Sequence, residues 1–528
     1  MRQQLLYLGL AGLLVAGFVS TQAFAQESTD ADTQQPTDEQ KAEQPAPVTP
    51  AVAAAPDVAV APVSAAVAPI AKPKFGDVTT HGYFRGGFGV NHPSITINRG
   101  YNASTSGEGR QTCFGLGSIN GGLLSKYRLG NECEQWGELL LSTVVYAGDD
   151  GSVGSFHFRP VAFIPTSLDG YSPAMTTSSQ NQLGSVSTGA TVAFPDLYAD
   201  IKGIPWLFGG TGWAGSRYYK REEIYISDFF YWNPSGVGAG IEDINLAKIF
   251  DWSADAVRHL TFSYAAFAVD GDPKGPSYLP QQYALGLRHD VQFRGFRPYR
   301  GGELQVGFQY IDDMSNSKDD GGLKAPATHS GWGVTVRHLQ EVLGGDNALV
   351  FQYGVGGGTG FGTLARYYYP DFSLSQDSSQ TRLRLLDVLT IQPTAYFGAQ
   401  VALVYQKDNN SNGQPSAGDW VSAGTRLSLA LTEHAKLLGE IGHDSVWPKY
   451  GTGRYSLTKL TGALALAAAK GFWGRPELRL FYTWAVWNKE APITGSVDSG
   501  NMYKNADPDT GVYTLSGTSL GLQAEVMW

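Results

Sequence analysis

Positive charge, cysteine and long apolar runs are all scarce in this chain of 528 residues. Each shortage excludes something. Acidic residues outnumber basic ones and leave a net charge of −10, the wrong sign for a nucleic-acid partner. One apolar stretch, Leu5 to Val19, is too short to be a membrane helix. The mean hydropathy of −0.18 rules out a helical membrane bundle. No phosphate-binding Gly-Lys loop and no HExxH occurs. His81, His259, His338 and His434 stand outside any catalytic motif, so nothing marks the Ser–His pair that an outer-membrane phospholipase needs. The pattern calls for no catalytic residue, no metal and no cofactor. The 2 cysteines are Cys113 and Cys133.

What the chain has in quantity is glycine, aromatic residues and strict alternation. There are 66 Gly, with 27 Tyr, 25 Phe and 12 Trp. Glycine suits tight turns and a crowded interior, and aromatics suit girdles at two lipid–water boundaries. The final segment places Leu520, Leu522, Ala524, Val526 and Trp528 on one face, and Ser519, Gly521, Gln523, Glu525 and Met527 on the other. The same period of two puts Leu304, Val306, Phe308 and Tyr310 opposite Glu303, Gln305 and Gln309. Phe397, Ala399, Val401, Leu403 and Tyr405 form another such face, and so do Leu478, Leu480, Tyr482, Trp484 and Val486. Runs of about ten residues match tilted strands that cross the hydrocarbon layer. A soluble sandwich also alternates, but its outer face would not be this aromatic. The alternation therefore predicts an all-β fold, a transmembrane antiparallel barrel with an apolar face toward lipid and a wetter face toward a lumen.

Residues 1–25 read as a secretory signal, with Arg2 ahead of the apolar core and Ala23-Phe24-Ala25 as the cleavage site. Residues 26–74 are polar and then rich in Pro and Ala, and they read as a disordered periplasmic extension. Residues 75–528 form the barrel domain. Segments Asn91–Gln111, Tyr171–Ala190, Asp312–Ala327, Lys407–Gly418 and Gly495–Asp509 do not alternate and read as long loops at one end. In an exported chain Cys113 and Cys133 favour a disulfide over free thiols, although their spacing does not show that they pair.

Several stretches carry a specific resemblance. They are His81 to Arg85 (HGYFR), Ser125 to Glu134 (SKYRLGNECE), Trp213 to Arg221 (WAGSRYYKR), Asp228 to Trp232 (DFFYW), Gly236 to Gly240 (GVGAG), Trp473 to Pro476 (WGRP) and the terminal Met527-Trp528. Together they resemble the maltoporin family of sugar-specific porins, over roughly residues 76–528. Sucrose porins of that family also carry an N-terminal extension. The resemblance implies eighteen strands, a homotrimer in the outer membrane, and a third loop folded inward near Glu222 to Glu242. It implies a track of aromatics at Tyr83, Trp136 and Trp473, flanked by Arg85, Arg128, Glu138, Arg221, Glu223 and Asp228. Phe230 stands where the family has its constriction Tyr. The family's aromatic near Asp346, its penultimate aromatic at Met527 and its Arg near Pro195 are missing here, so half of the track is kept and long malto-oligosaccharides fit poorly. Gly236, Gly238 and Gly240 are expected to shape the inward loop.

The expected function is passive diffusion of carbohydrates across the outer membrane. Pyranose faces stack on rings while their hydroxyls exchange water for charged side chains. The same residues admit a plainer reading: boundary aromatics and solvated lumen charges in a general or anion-preferring porin without strong sugar selectivity. An adhesin or assembly scaffold would carry its function in the loops.

Overall fold

The computed structural model describes residues 73–92, 114–116, 125–132, 134–165, 191–270, 285–313, 330–361, 380–409, 419–447, 453–491, 493–494 and 515–528. The signal and nearly all of the extension lie outside the described residues, as do Cys113, Cys133 and most of the five long-loop segments.

Eighteen antiparallel strands form one sheet. In chain order they are β1 (Val78–His92), β2 (Glu134–Ala147), β3 (Val153–Pro165), β4 (Thr191–Ile204), β5 (Gly210–Arg217) and β6 (Gly236–Asn245). Then come β7 (Thr261–Asp270), β8 (Leu285–Phe296), β9 (Gly302–Asp313), β10 (Gly331–Val342), β11 (Gly345–Gly356) and β12 (Thr381–Ile391). The last six are β13 (Phe397–Asn409), β14 (Asp419–Ala430), β15 (Ala435–Trp447), β16 (Tyr455–Ala467), β17 (Glu477–Trp487) and β18 (Ser516–Met527). Each strand pairs with its sequence neighbours. β1 pairs with both β2 and β18, with Arg85 opposite Trp136 on one side and opposite Glu525 on the other. The sheet is therefore a closed barrel without an edge. Trp528 extends the seam, exchanging backbone hydrogen bonds with Gly82 at 3.0 and 3.1 Å.

Connections alternate in length. One end has compact turns such as 148–152, 343–344 and 431–434, plus a short helix α1 (Leu246–Phe250) between β6 and β7. Leu343 and Gly344 both take positive φ, 46° and 74°, the geometry of a two-residue hairpin that follows the strand twist. The other end has the long connections.

The faces separate as the alternation predicts. Leu478, Leu480, Tyr482 and Trp484 are exposed on the outside, as are Leu520 and Leu522. Glu477, Arg479, Thr483, Gln523 and Glu525 are buried toward the lumen. One sector departs from this rule. On β11 to β13 the lumen face carries Ala348, Val350, Leu386, Val388, Ala402 and Val404, all buried. They pack with Ile224, Ile226, Tyr231 and Trp232 from the connection between β5 and β6. That connection is the inward loop. It spans 218–235 rather than reaching Glu242, because Gly236 already starts β6.

Gly236, Gly238 and Gly240 consequently belong to a barrel strand and not to the loop. They sit opposite Arg217, Gly215 and Trp213 of β5. A Cβ at Gly238 would strike the Ala266 carbonyl, and one at Gly240 would come within 2.6 Å of the Tyr264 carbonyl. Small residues are required because Trp213, Tyr219 and Phe267 fill the lumen side of this corner.

Candidate functional site

The inward loop is a small hairpin. Glu222–Ile224 pairs antiparallel with Phe229–Trp232 across a turn of 3-10 helix at Tyr225–Ser227. Asp228 closes that turn in the left-handed conformation at φ 55°, which Asp tolerates better than most side chains. Glu222 bonds Arg294 at 2.8 Å and Arg337 at 3.1 Å. Gln352 donates to the Tyr231 carbonyl at 2.9 Å, Gln400 accepts from Ile226 N–H at 3.1 Å, and Arg288 donates to the Pro234 and Ser235 carbonyls. Each hydrogen bond contributes about 1 kcal/mol net. Each buried Ile contributes roughly 1.5–3 kcal/mol, so the apolar seat on β11 to β13 and the polar contacts dock the hairpin to a similar degree.

A second segment enters the lumen. Residues 125–132 of the first long connection lie against the hairpin, with Lys126 N–H and Arg128 N–H donating to the Ser227 and Ile226 carbonyls, both at 2.9 Å. This brings three of the sequence-predicted charges, Arg85, Arg128 and Asp228, into one cluster. Arg85 pairs with Glu134 at 2.7 Å, Asp228 at 3.0 Å and Glu132 at 3.5 Å. Arg128 pairs with Glu132 at 2.6 Å, Glu525 at 3.6 Å and Asp228 at 3.7 Å. Lys126 reaches Glu134 at 2.5 Å and Asp228 at 3.1 Å. Three carboxylates, Glu132, Glu134 and Asp228, thus face three cations, Arg85, Lys126 and Arg128. The carboxylates converge closely enough to ligate a metal, but the cations already neutralise them. Burial would push the Asp228 carboxyl up; Arg85, Lys126 and Arg128 outweigh it and hold the group well below the usual carboxylate range. Glu223 goes the other way. Burial first, and the Asp228 charge second, push it up to about 7 against the pull of Arg128, Arg221 and Arg85.

The three predicted aromatics, Tyr83, Trp136 and Trp473, are all half-buried. Arg85 lies 5.8 Å from the Trp136 ring centre. Arg128 lies 5.8 Å from the Tyr83 ring and 5.0 Å from that of Tyr225, and it also bonds the Tyr83 hydroxyl. Tyr225 meets Trp473 edge-on at 4.7 Å between centroids. Rings and guanidinium groups therefore form one line from Trp136 through Arg85, Arg128 and Tyr225 to Trp473. Beyond the line, Arg475 and Arg479 hold Glu525 at 2.8 and 2.5 Å. They also bridge Glu477, which faces Glu525 directly across the strands; two opposed carboxylates would otherwise repel.

Glu138 sits one step along β2 from Trp136 and accepts from Arg159 at 3.0 Å, while Arg159 also pairs with Asp196 at 2.6 Å. Arg221 lies on an aromatic shelf, 3.5 Å from the Tyr218 ring centre and 5.0 Å from that of Phe230. Phe163 packs edge-on to Trp136 at 6.3 Å. Asp346, by contrast, lies in β11 on the far side of the hairpin, where its charged neighbours are Arg337 and Glu222.

Sequence reasoning missed Lys126, Glu132, Glu134, Arg159, Phe163, Tyr218, Tyr225, Arg475 and Glu525 as site residues. Glu525 had a signal: it falls on the wet face of the last strand. Tyr225 had none, because its position depends on how the hairpin docks.

Similar barrels are known. The BenF-like porin of Pseudomonas fluorescens Pf-5 is 11% identical, with a TM-score of 0.42 over 86% of this chain and 100% of that one. OccK5 (OpdH) of Pseudomonas aeruginosa is 8% identical, with a TM-score of 0.40 over 86% and 98%. OccAB2 of Acinetobacter baumannii is 8% identical, with a TM-score of 0.42 over 86% and 98%. Likenesses this distant say nothing about substrate. The family model described as LamB porin matches residues 78–528, from the first barrel strand to the last residue, and the chain belongs to the LamB porin family.

Proposed function

We propose that this outer-membrane diffusion channel is selective for carbohydrates and works as a homotrimer whose N-terminal extension lies in the periplasm. The observation that carries the sugar reading is the line of rings and guanidinium groups from Trp136 to Trp473, half-buried at its two end rings and buried between them. A ring offers stacking to a pyranose face, and the neighbouring charge offers a hydrogen bond to the hydroxyls at its edge. No single contact is strong, which lets the solute leave as readily as it enters. Phe230, lacking a hydroxyl, and Asp346, on the far side of the hairpin, are consistent with a short sugar rather than a long glucan.

The test is single-channel conductance with and without a series of sugars from disaccharide to heptasaccharide. Sugar should block the current, and Trp136→Ala should raise the half-blocking concentration about fivefold, the equivalent of one lost stack of about 1 kcal/mol. Ion conductance should change far less. Absence of block by every sugar would leave a general porin.

A second reading, an anion-preferring porin, is favoured by Arg221. Among the described residues no carboxylate lies within ion-pair distance of this guanidinium; it rests on the rings of Tyr218 and Phe230. A zero-current potential that marks anion preference and disappears in Arg221→Ala would support it.

A further inference from the structure

We infer that Tyr127, in the first long connection, is a positioning residue that fixes the constriction from the wall beside the hairpin's seat. The local geometry is alternating. Lys126 and Arg128 turn toward the hairpin and bond its carbonyls, while Tyr127 and Leu129 turn toward the barrel wall. Tyr127 takes a positive φ of 44°, an unfavourable conformation for an aromatic residue that persists only where surroundings dictate it.

The surroundings do dictate it. Gly424 of β14 and Gly442 of β15 stand directly opposite each other in the wall. The Tyr127 ring fills the notch they leave, and a Cβ on either glycine would fall inside the ring. The Tyr127 hydroxyl shares a 2.6 Å hydrogen bond with Ser422, the Ser422 hydroxyl lies 3.1 Å from that of Ser125, and Lys459 lies 5.7 Å from the ring centre. Next to the notch, Leu129 is fully buried among Leu438, Ala463, Ala465 and Phe481. Its N–H donates to Glu440 at 2.9 Å, and the Gly130 N–H donates to Gln523 at 3.1 Å.

A continuous chain of contacts follows: wall glycines, Tyr127, the backbone of Lys126 and Arg128, the Ile226 and Ser227 carbonyls, then Tyr225 and Asp228 at the constriction. The apolar seat on β11 to β13 and the arginines of β8 and β10 hold the hairpin itself. Tyr127 extends that seat onto the neighbouring β14 and β15 and keys the first long connection into it, so the width of the pore depends on a ring that does not line it.

The experiment compares the full-length protein with Tyr127→Ala, Tyr127→Leu, Tyr127→Phe and Gly442→Val in planar bilayers. The readouts are single-channel conductance in potassium chloride and the size of polyethylene glycol that the pore excludes. Folding is monitored by the heat-dependent shift of the barrel in gel electrophoresis. Tyr127→Ala, Tyr127→Leu and Gly442→Val should raise conductance and shift the exclusion limit to longer polymers. Tyr127→Phe should behave as the unmodified channel, since it keeps the ring in the notch. Unchanged sieving in the Ala and Leu variants would overturn the inference, and so would a Phe variant that resembles them. Failure of both Ala and Leu variants to fold would also overturn it, because the ring would then be needed for the barrel itself rather than for placing the constriction.

Discussion

At the scale of single residues, the charges of the constriction fall into two kinds. Arg128 is almost fully enclosed, with Glu132, Asp228 and Glu525 around it and a bond to Tyr83. Removing it would strand those carboxylates, and breaking a buried pair of this kind costs about 3–5 kcal/mol. Arg128→Ala should therefore loosen the constriction as well as change selectivity, seen as a lowered unfolding temperature of the barrel. Arg221 is the cleaner probe. Its removal should shift the zero-current potential toward cations and leave the unfolding temperature unchanged, because it breaks no ion pair among the described residues. Glu223 adds a pH dependence. Its carboxyl is raised from an ordinary value of 4.5 to about 7, so folding favours the neutral form. Stability linked to this group is fully present below about pH 4.5 and is lost as pH rises through 7. The pore gains a fixed negative charge over the same interval. Cation preference should rise between about pH 6 and 8 and stay flat in Glu223→Gln, as read from zero-current potentials.

Elements carry constraints that residue types alone do not express. Gly238 illustrates this. Composition reads it as loop material, yet the strand it belongs to brings it against the Ala266 carbonyl and the Phe267 ring. Gly238→Val should destabilise the β6–β7 pairing by about 1–3 kcal/mol, the usual effect of overpacking, measured as a lower temperature for conversion of the folded to the unfolded gel band. The first long connection makes a second case. Phe114 N–H donates to the Asn131 side chain at 2.9 Å, and that side chain donates back to the Phe114 carbonyl at 3.1 Å. These residues flank Cys113 and Cys133 in the sequence. A disulfide between the two cysteines should protect both thiols from labelling in unreduced, denatured protein, and its reduction should cost about 3 kcal/mol of barrel stability in a chain-entropy account. Quantitative labelling of both would exclude the bridge.

For the molecule as a whole, closure does not use the N-terminal extension. β1 begins at Val78 and is paired on both sides, with β2 and β18, so the described barrel is complete from there on. Deletion of residues 26–74 should leave trimer formation and pore current unchanged, as checked by gel mobility and bilayer recording of the truncated protein. A loss of trimers would instead assign the extension to assembly.

The alternation of Leu520, Leu522, Ala524 and Val526 with Gln523 and Glu525 was enough to determine a lipid face, a wet face and an all-β barrel. A strand's side chains have only two directions to point, so a period of two is legible without knowing any partner. The motifs that single out Tyr83, Trp136 and Trp473 are local too, and the stacking role they suggest is a proposal that sugar block of the current tests. Val350, Leu386 and Val404 show where that legibility stopped. They break the rule of a polar lumen because the hairpin covers them, and the hairpin lies more than a hundred residues away in the chain. The pairing of Arg85 with Asp228, the seat of Tyr127 between Gly424 and Gly442, and the line from Trp136 to Trp473 all join segments far apart in sequence. Only closure of the barrel sets those distances, because strand register and tilt, rather than local preference, decide which lumen residues meet.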